Sequence, residues 1–324
     1  MISRRQFLNR TAGAALAAET LATLREAKAD PLGMPIGSQV YPHRQRIREG
    51  DFAGLLRDMK EIGIGQVELD SPDYPDSAPL ADGKQTRKIL DDHGMKCPSI
   101  HFTMRELRAN QEKALEWGLQ IGATQASTST LNGKAVNGIT TLDVIKRSAD
   151  EYNKIAEVSR KAGMLQTLHD EGFELSKLED GRLTYQVLLG LLDPNLVKMQ
   201  FQMSAMRIVG DPIMYFQKYP GRIVSMHCQG VDLNAPLPVP RSSGTAADEA
   251  ASHGGGPRPA GGPAGGPARG GRGGDSRQLA VGHDSLDWKA IFTAAKTGGL
   301  TNYFVELPWE LTVQSVAYLK TLNV

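Results

Sequence analysis

The 324-residue sequence predicts an α/β fold, a single-domain (β/α)8 barrel, on three observations. Short apolar runs alternate with longer helical stretches eight times, the count that closes a parallel barrel of the TIM type. Side chains able to ligate metals or move protons follow one run after another, at the carboxyl ends where parallel strands place ligand sites. No G-x-G-x-x-G loop follows an early strand, as a doubly wound nucleotide-binding sheet would require. The clearest case is Ala162–Leu175, AGMLQTLHDEGFEL, where the run Met164–Leu168 gives way at once to His169, Asp170 and Glu171.

Residues 1–29 read as an address. Ser3-Arg4-Arg5-Gln6-Phe7-Leu8 is a twin-arginine pattern, Ala12–Leu24 is a weakly apolar run, and Ala27-Lys28-Ala29 offers a cleavage site. With Glu19 inside it, that run is too short and too polar to span a membrane. A basic amphipathic first helix is the alternative. The expectation is a twin-arginine signal peptide, handed to the export machinery, and a periplasmic chain comprising residues 30–324.

The alternation begins at Ile36. Ile36–Tyr41 reads as strand one and Phe52–Ile62 as its helix, from apolar spacing near 3.6. Gln66–Leu69 and Leu80–Gly94 form the second unit, Pro98–Phe102 and Glu106–Ile121 the third. Strand four is Ala123–Thr128, followed by a long amphipathic helix from Thr141 to Ala162 with a Thr/Asp start and a stop at Gly163. After the fifth strand come Leu183–Leu192, strand six at Val197–Met203, Asp211–Tyr219 and strand seven at Arg222–Cys228. Asp284–Thr297, strand eight at Asn302–Glu306 and the helix Glu310–Leu322 close the count.

Residues 236–276, between the seventh strand and its helix, break the pattern with GGGPRPAGGPAGGPARGGRGG. Gly, Pro, Ala and Arg cannot bury enough apolar surface to offset their ordering entropy, so a disordered insertion is expected. Its arginines, Arg258, Arg269 and Arg272 among them, have no aromatic neighbours on which bases would stack, which disfavours single-stranded nucleic acid. A formal net charge of +1 likewise gives no general pull toward nucleic acid or membranes. Cys97 and Cys228 are too few for a disulfide framework and form no C-x-x-C pair. Two buried thiols are expected, a single bridge being the alternative.

Glu68, His101, His169 with Glu171, Gln202, His227 and Glu306 stand at the ends of strands two, three, five, six, seven and eight. In a barrel these ends meet at one mouth. Two imidazoles, an amide oxygen and a carboxylate suit a divalent transition ion (Mn, Zn, Co or Fe) better than calcium. Each residue also has a bland reading. His101 could be structural, Gln202 a strand cap, Glu68 a partner of Arg44 at the rim, and Glu171 and Glu174 solvated. The joint placement of His169, His227 and Glu306 is what points to a site.

Ile36–Leu322, outside the insertion, resembles the xylose-isomerase-like TIM barrels of the sugar phosphate isomerase/epimerase type. The resemblance lies in GSQVYPHR, VELDSP and PSIHF on the first three strands and in LHDEGFEL, where relatives read YHNHDFEF. It continues in DPIMYFQKYPGRIVSMHCQG and AVGHDSLDWKAIFTAAKTGGLTNYFVEL, which together are quite specific. It implies a divalent metal held by His169, Gln202, His227 and Glu306. It also implies a sugar or keto-sugar substrate, from which a proton is abstracted beside a metal-bound carbonyl to give an enediolate. Glu306, Glu171 and His101 would be the catalytic residues, and Glu68, His101 and Gln229 would line the sugar pocket. Two departures stand out: Gln202 occupies the strand-six position usually held by aspartate, and Gln229-Gly230 replaces Lys-Asp after the strand-seven histidine. The alternatives are a lyase of 3-keto-glycosides and a sugar-binding barrel that has lost its metal; pairing of the barrel into a homodimer is left open. An endonuclease acting at abasic sites would need a richer His/Glu cluster and a basic groove.

Overall fold

The computed structural model describes residues 30–131, 133–235, 237 and 278–324. The expected signal peptide, and all of the 236–276 insertion except Leu237, lie outside the described residues. Eight parallel strands close into a barrel in the order β1-β10-β9-β8-β6-β4-β3-β2. They are β1 (Gly37–Gln39), β2 (Gln66–Asp70), β3 (Lys96–His101), β4 (Gln125–Thr128), β6 (Leu165–His169), β8 (Val197–Gln202), β9 (Ile223–Cys228) and β10 (Asn302–Val305). Two-residue strands β5 (Ile139–Thr140) and β7 (Lys177–Leu178) pair with each other, tying the segment after β4 to the segment after β6. The (β/α)8 barrel expected from the alternation is the fold observed.

Five helices start where a side chain caps their first free N–H groups. Asp82 accepts from the Gln85 amide ahead of Gly83–Asp92, and Thr103 with Glu106 forms a reciprocal capping box ahead of Met104–Gln120. Thr141, Asp211 and Asp287 do the same for Leu142–Lys161, Pro212–Lys218 and Trp288–Gly298. Gly63 (φ 100°) and Gly299 (φ 87°) take the left-handed C-cap conformation that other residues adopt only with strain. Among the described residues no helix is long and apolar enough to cross a membrane.

The apolar core lies between strands and helices. Val67, Leu69, Ile100, Leu168, Phe201 and Met226 are buried there among side chains such as Tyr152, Tyr185 and Phe216. The alternate strand residues turn into the barrel, and many of them are polar: Glu68, Ser99, Ser127, Gln200 and Ser225 are all fully buried. The ladder shifts register at Glu68 between β2 and β3, and at Gln200 between β8 and β9. Such irregularities re-aim side chains. Cys97 and Cys228 are both free and buried, and burial pushes the Cys97 thiol up to about 12.

Candidate active site at the barrel mouth

Two polar layers fill the upper barrel. The lower one centres on Glu68, whose Oε1 accepts from Ser99 Oγ (2.6 Å) and Gln200 Nε2 (2.7 Å). Its Oε2 meets His227 Nε2 at 2.5 Å and His101 Nε2 at 3.2 Å. Gln200 completes the layer, donating to Ser225 Oγ and accepting from Ser127 Oγ and His101 Nε2. Glu68, which the resemblance would place in the lining of a sugar pocket, is fully buried and bonded within this layer. It sits one step inside the barrel with both oxygens committed, and Arg44 pairs instead with Asp76. His101 is 4 % exposed, with its Nε2 turned into this layer toward Gln200 Oε1 and Glu68 Oε2.

The upper layer gathers the other expected residues. Ligand atoms of His169, His227 and Glu306 all lie within 4.8 Å of one another. The His169 and His227 ring centroids are 4.5 Å apart, and each is 5.4 Å from that of His101. Glu306 Oε2 accepts from Gln202 Nε2 and Gln229 Nε2, both at 2.9 Å, and stands 3.3 Å from His227 Nδ1. Glu171 Oε2 is 3.7 Å from His169 Nε2. The Glu171 and Glu306 side chains, 30 % and 13 % exposed, are the members that reach solvent, so access to the site runs past them.

The charges sort themselves by neighbour. Burial disfavours a charged His227, but the Glu68 and Glu306 carboxylates on its two sides outweigh it and raise the imidazole to about 10. Burial and the charge on His227 hold His169 well below the usual histidine range, so it is neutral with a lone pair to offer. Burial would raise Glu68 and Glu306, yet the adjacent histidines lower both. Glu171 goes the other way: burial and then the Glu306 charge push it up to about 8.

Several buried atoms here lack a well-aligned hydrogen bond: both His169 nitrogens, His227 Nδ1, and the amide oxygens of Gln202 and Gln229. Buried polar atoms without partners are rare enough to need an explanation, and a bound ion would supply one. A divalent transition ion fits this donor set. The Gln202 amide gives its NH2 to Glu306 and keeps its Oε1 buried without a partner, an oxygen of the kind such an ion takes.

Three structural features escaped the sequence reading. Gln200 holds the lower layer together. Asp70 ends β2 with Oδ1 accepting from Gln39 Nε2 at 2.9 Å. Glu174, expected to be solvated, is fully buried and accepts from Leu131 N (2.6 Å), Thr130 Oγ1 (2.8 Å) and Gly172 N (3.1 Å). It braces two mouth loops against each other, because Phe173–Leu175 turns inward as a short 3-10 helix. The usable signal for the first two was a pair of polar residues at i and i+2 in a buried strand, as in QVELD and VKMQFQ.

No protein-family model matches the chain, and no curated protein matches it in sequence. Solved structures do match the barrel. A sugar phosphate isomerase/epimerase from Parabacteroides distasonis superposes with a TM-score of 0.62 at 19 % identity, covering 88 % of this chain and 93 % of its own. A probable 3-DHS dehydratase from Bacillus anthracis, involved in petrobactin synthesis, gives 0.62 at 11 % identity over 89 % and 98 % of the two chains. An L-ribulose 3-epimerase gives 0.56 at 14 % identity over 89 % and 86 %. At such identities the likeness is one of fold.

Proposed function

We propose that the chain is a sugar isomerase/epimerase-type enzyme, acting on a free sugar or keto-sugar by moving a proton at the carbon beside a carbonyl. The observation that carries this reading is the convergence of His169, His227 and Glu306 at the barrel mouth, with unpartnered donor atoms beside them. His169, Glu306, the Gln202 amide oxygen and His227 through an Nδ1 that has given up its proton would hold a divalent ion, which when bound supplies Lewis acidity toward a carbonyl oxygen.

The chain's own residues divide the remaining work. Glu306, kept ionised by His227 and gripped by two amides, has the character of a ligand rather than of a proton carrier. Glu171 reaches solvent and, near 8, exchanges its proton close to neutral pH, as a general acid–base should. Gln229 fixes the Glu306 carboxylate and lies beside the entrance, where it can touch a bound sugar. The buried layer of Glu68, His101 and Gln200 holds His227 in place and keeps bulk water from beneath the reacting atoms. The fold shared with the P. distasonis protein and the L-ribulose 3-epimerase supports this reading. Export by the twin-arginine route belongs to the same proposal and rests on the Ser3–Leu8 pattern, the weakly apolar run Ala12–Leu24 and the Ala27-Lys28-Ala29 site.

A second reading has the same proton abstraction end in elimination, as in a lyase of 3-keto-glycosides. It is favoured by the likeness to a probable dehydratase. Incubation with L-ribulose in deuterated water tests both. The expected result is deuterium entering the sugar beside its carbonyl, with near-stoichiometric transition metal in the purified protein. Glu171→Gln should slow exchange by about 100-fold or more while leaving the metal in place. A 3-keto-glycoside that loses its aglycone would select the lyase. A metal-free protein that binds sugars without exchanging a proton would overturn the enzyme reading in favour of a binding barrel.

A further inference from the structure

The donor cluster occupies the β6, β8, β9 and β10 side of the mouth. Around the eight-strand ring β2 lies directly across from β8, and β2 ends on a carboxyl with no assigned work. Asp70 is 2 % exposed, and its Oδ2 has no hydrogen-bond partner among the described residues. The side chain enters the barrel. Two residues earlier Glu68 reaches across to Gln200 and His227, and strand alternation puts Asp70 on the same face one step nearer the mouth. Asp70 also pairs in register with the inward-facing His101.

The carboxyl is held in place. Gln39 Nε2 donates to Oδ1 at 2.9 Å, and Gln39 is itself anchored where its Oε1 accepts from the Tyr41 amide at 2.5 Å. One oxygen is thus fixed and the other is left buried and empty-handed, a penalty that folding alone gives no reason to retain. A ligand that donates a hydrogen bond would remove it. With Oδ1 committed to Gln39, the one remaining oxygen can take a single hydroxyl donor.

We propose that Asp70, oriented by Gln39, accepts a hydrogen bond from a hydroxyl at the end of the sugar remote from the reacting carbon, and so selects which polyhydroxylated ketose the barrel accepts. This rests on the sugar reading above. A site built around a hydroxyl rejects the analogue lacking it much more strongly than an apolar pocket rejects a change in size.

The test is calorimetric binding of L-ribulose, D-xylulose and D-fructose, each with its singly deoxygenated analogues, to the full metal-supplemented chain and to Asp70→Leu. For at least one ketose, removing one particular hydroxyl should cost wild type about 10-fold or more in affinity and cost Asp70→Leu nothing further. Asp70→Asn keeps the shape and an acceptor for Gln39, and should show an intermediate loss in a demonstrably folded protein. Equal affinities for wild type and Asp70→Leu would overturn the assignment. So would equal deoxy losses on both proteins, or failure of every ketose to bind wild type. Ketoses that bind with the expected coupling yet take up no deuterium would leave Asp70 its role and remove the isomerase.

Discussion

Glu68 shows how far a single residue's role depends on depth. Its two oxygens meet Ser99, Gln200, His227 and His101, and none is left for a substrate. The bond to His227 Nε2 leaves Nδ1 facing Glu306, so under the proposed metal reading Glu68 would set which nitrogen is offered to an ion. Glu68→Gln should weaken binding of Zn or Mn by about 10- to 100-fold in a chelator competition. An unchanged affinity would show that the layer serves folding only. Glu68, His101 and His227 were each visible in the sequence as strand ends, whereas Gln200, which bonds both Glu68 and His101, was hidden beside the more conspicuous Gln202. Sequence position marks which face a residue lies on, but not how deep in the barrel its side chain is spent.

At the scale of elements, strand parity does most of the work. Polar residues two apart on β2 (Glu68, Asp70), β8 (Gln200, Gln202) and β9 (Ser225, His227) fill the interior, while the residues between them feed the core. Closure of the ring at the β1–β10 seam depends on Gly37. A Cβ there would meet the Tyr303 carbonyl and the Phe304 ring, neither of which can retreat from a hydrogen-bonded strand pair. Gly37→Ala should destabilise the protein by about 1–3 kcal/mol, read as a lowered urea midpoint with an unchanged slope. A variant as stable as wild type would mean the seam has slack. Helix bounds were legible to the residue at Phe52–Ile62 but three or four residues off at the start of Gly83–Asp92 and of Trp288–Gly298; the opening strand was overread at Ile36–Tyr41, since Tyr41–His43 turns into a 3-10 helix to pass over the rim.

The whole molecule collects carboxyls that burial pushes up: Asp70, Glu106 and Glu174 to about 7 and Glu171 to about 8. A carboxyl raised in the folded state binds a proton more tightly there than in the unfolded chain. Its stabilising contribution is complete below the unfolded value and is lost as pH climbs through the folded one. The His227 contribution, raised to about 10, fades in the same direction at higher pH. Metal-free protein should therefore be more stable toward urea at pH 5.5 than at pH 8.5, by at least about 2 kcal/mol, and Glu174→Gln should flatten the difference. Stability rising over that interval would contradict the burial of these groups.

By itself, the sequence determined the barrel, through the eightfold alternation of periods, and named most of the mouth residues, because parallel strands carry their ligand-facing side chains at their carboxyl ends. Only the tertiary structure decided which polar residues lie deep and which stand at the entrance. It sent Glu68 and Gln200 to the support of His227, left Asp70 with an unfilled oxygen opposite the cluster, and buried Glu174 as a brace between loops. The physical reason is that alternation along a strand is a local property, whereas layer and partner are set by how eight strands stagger around a ring.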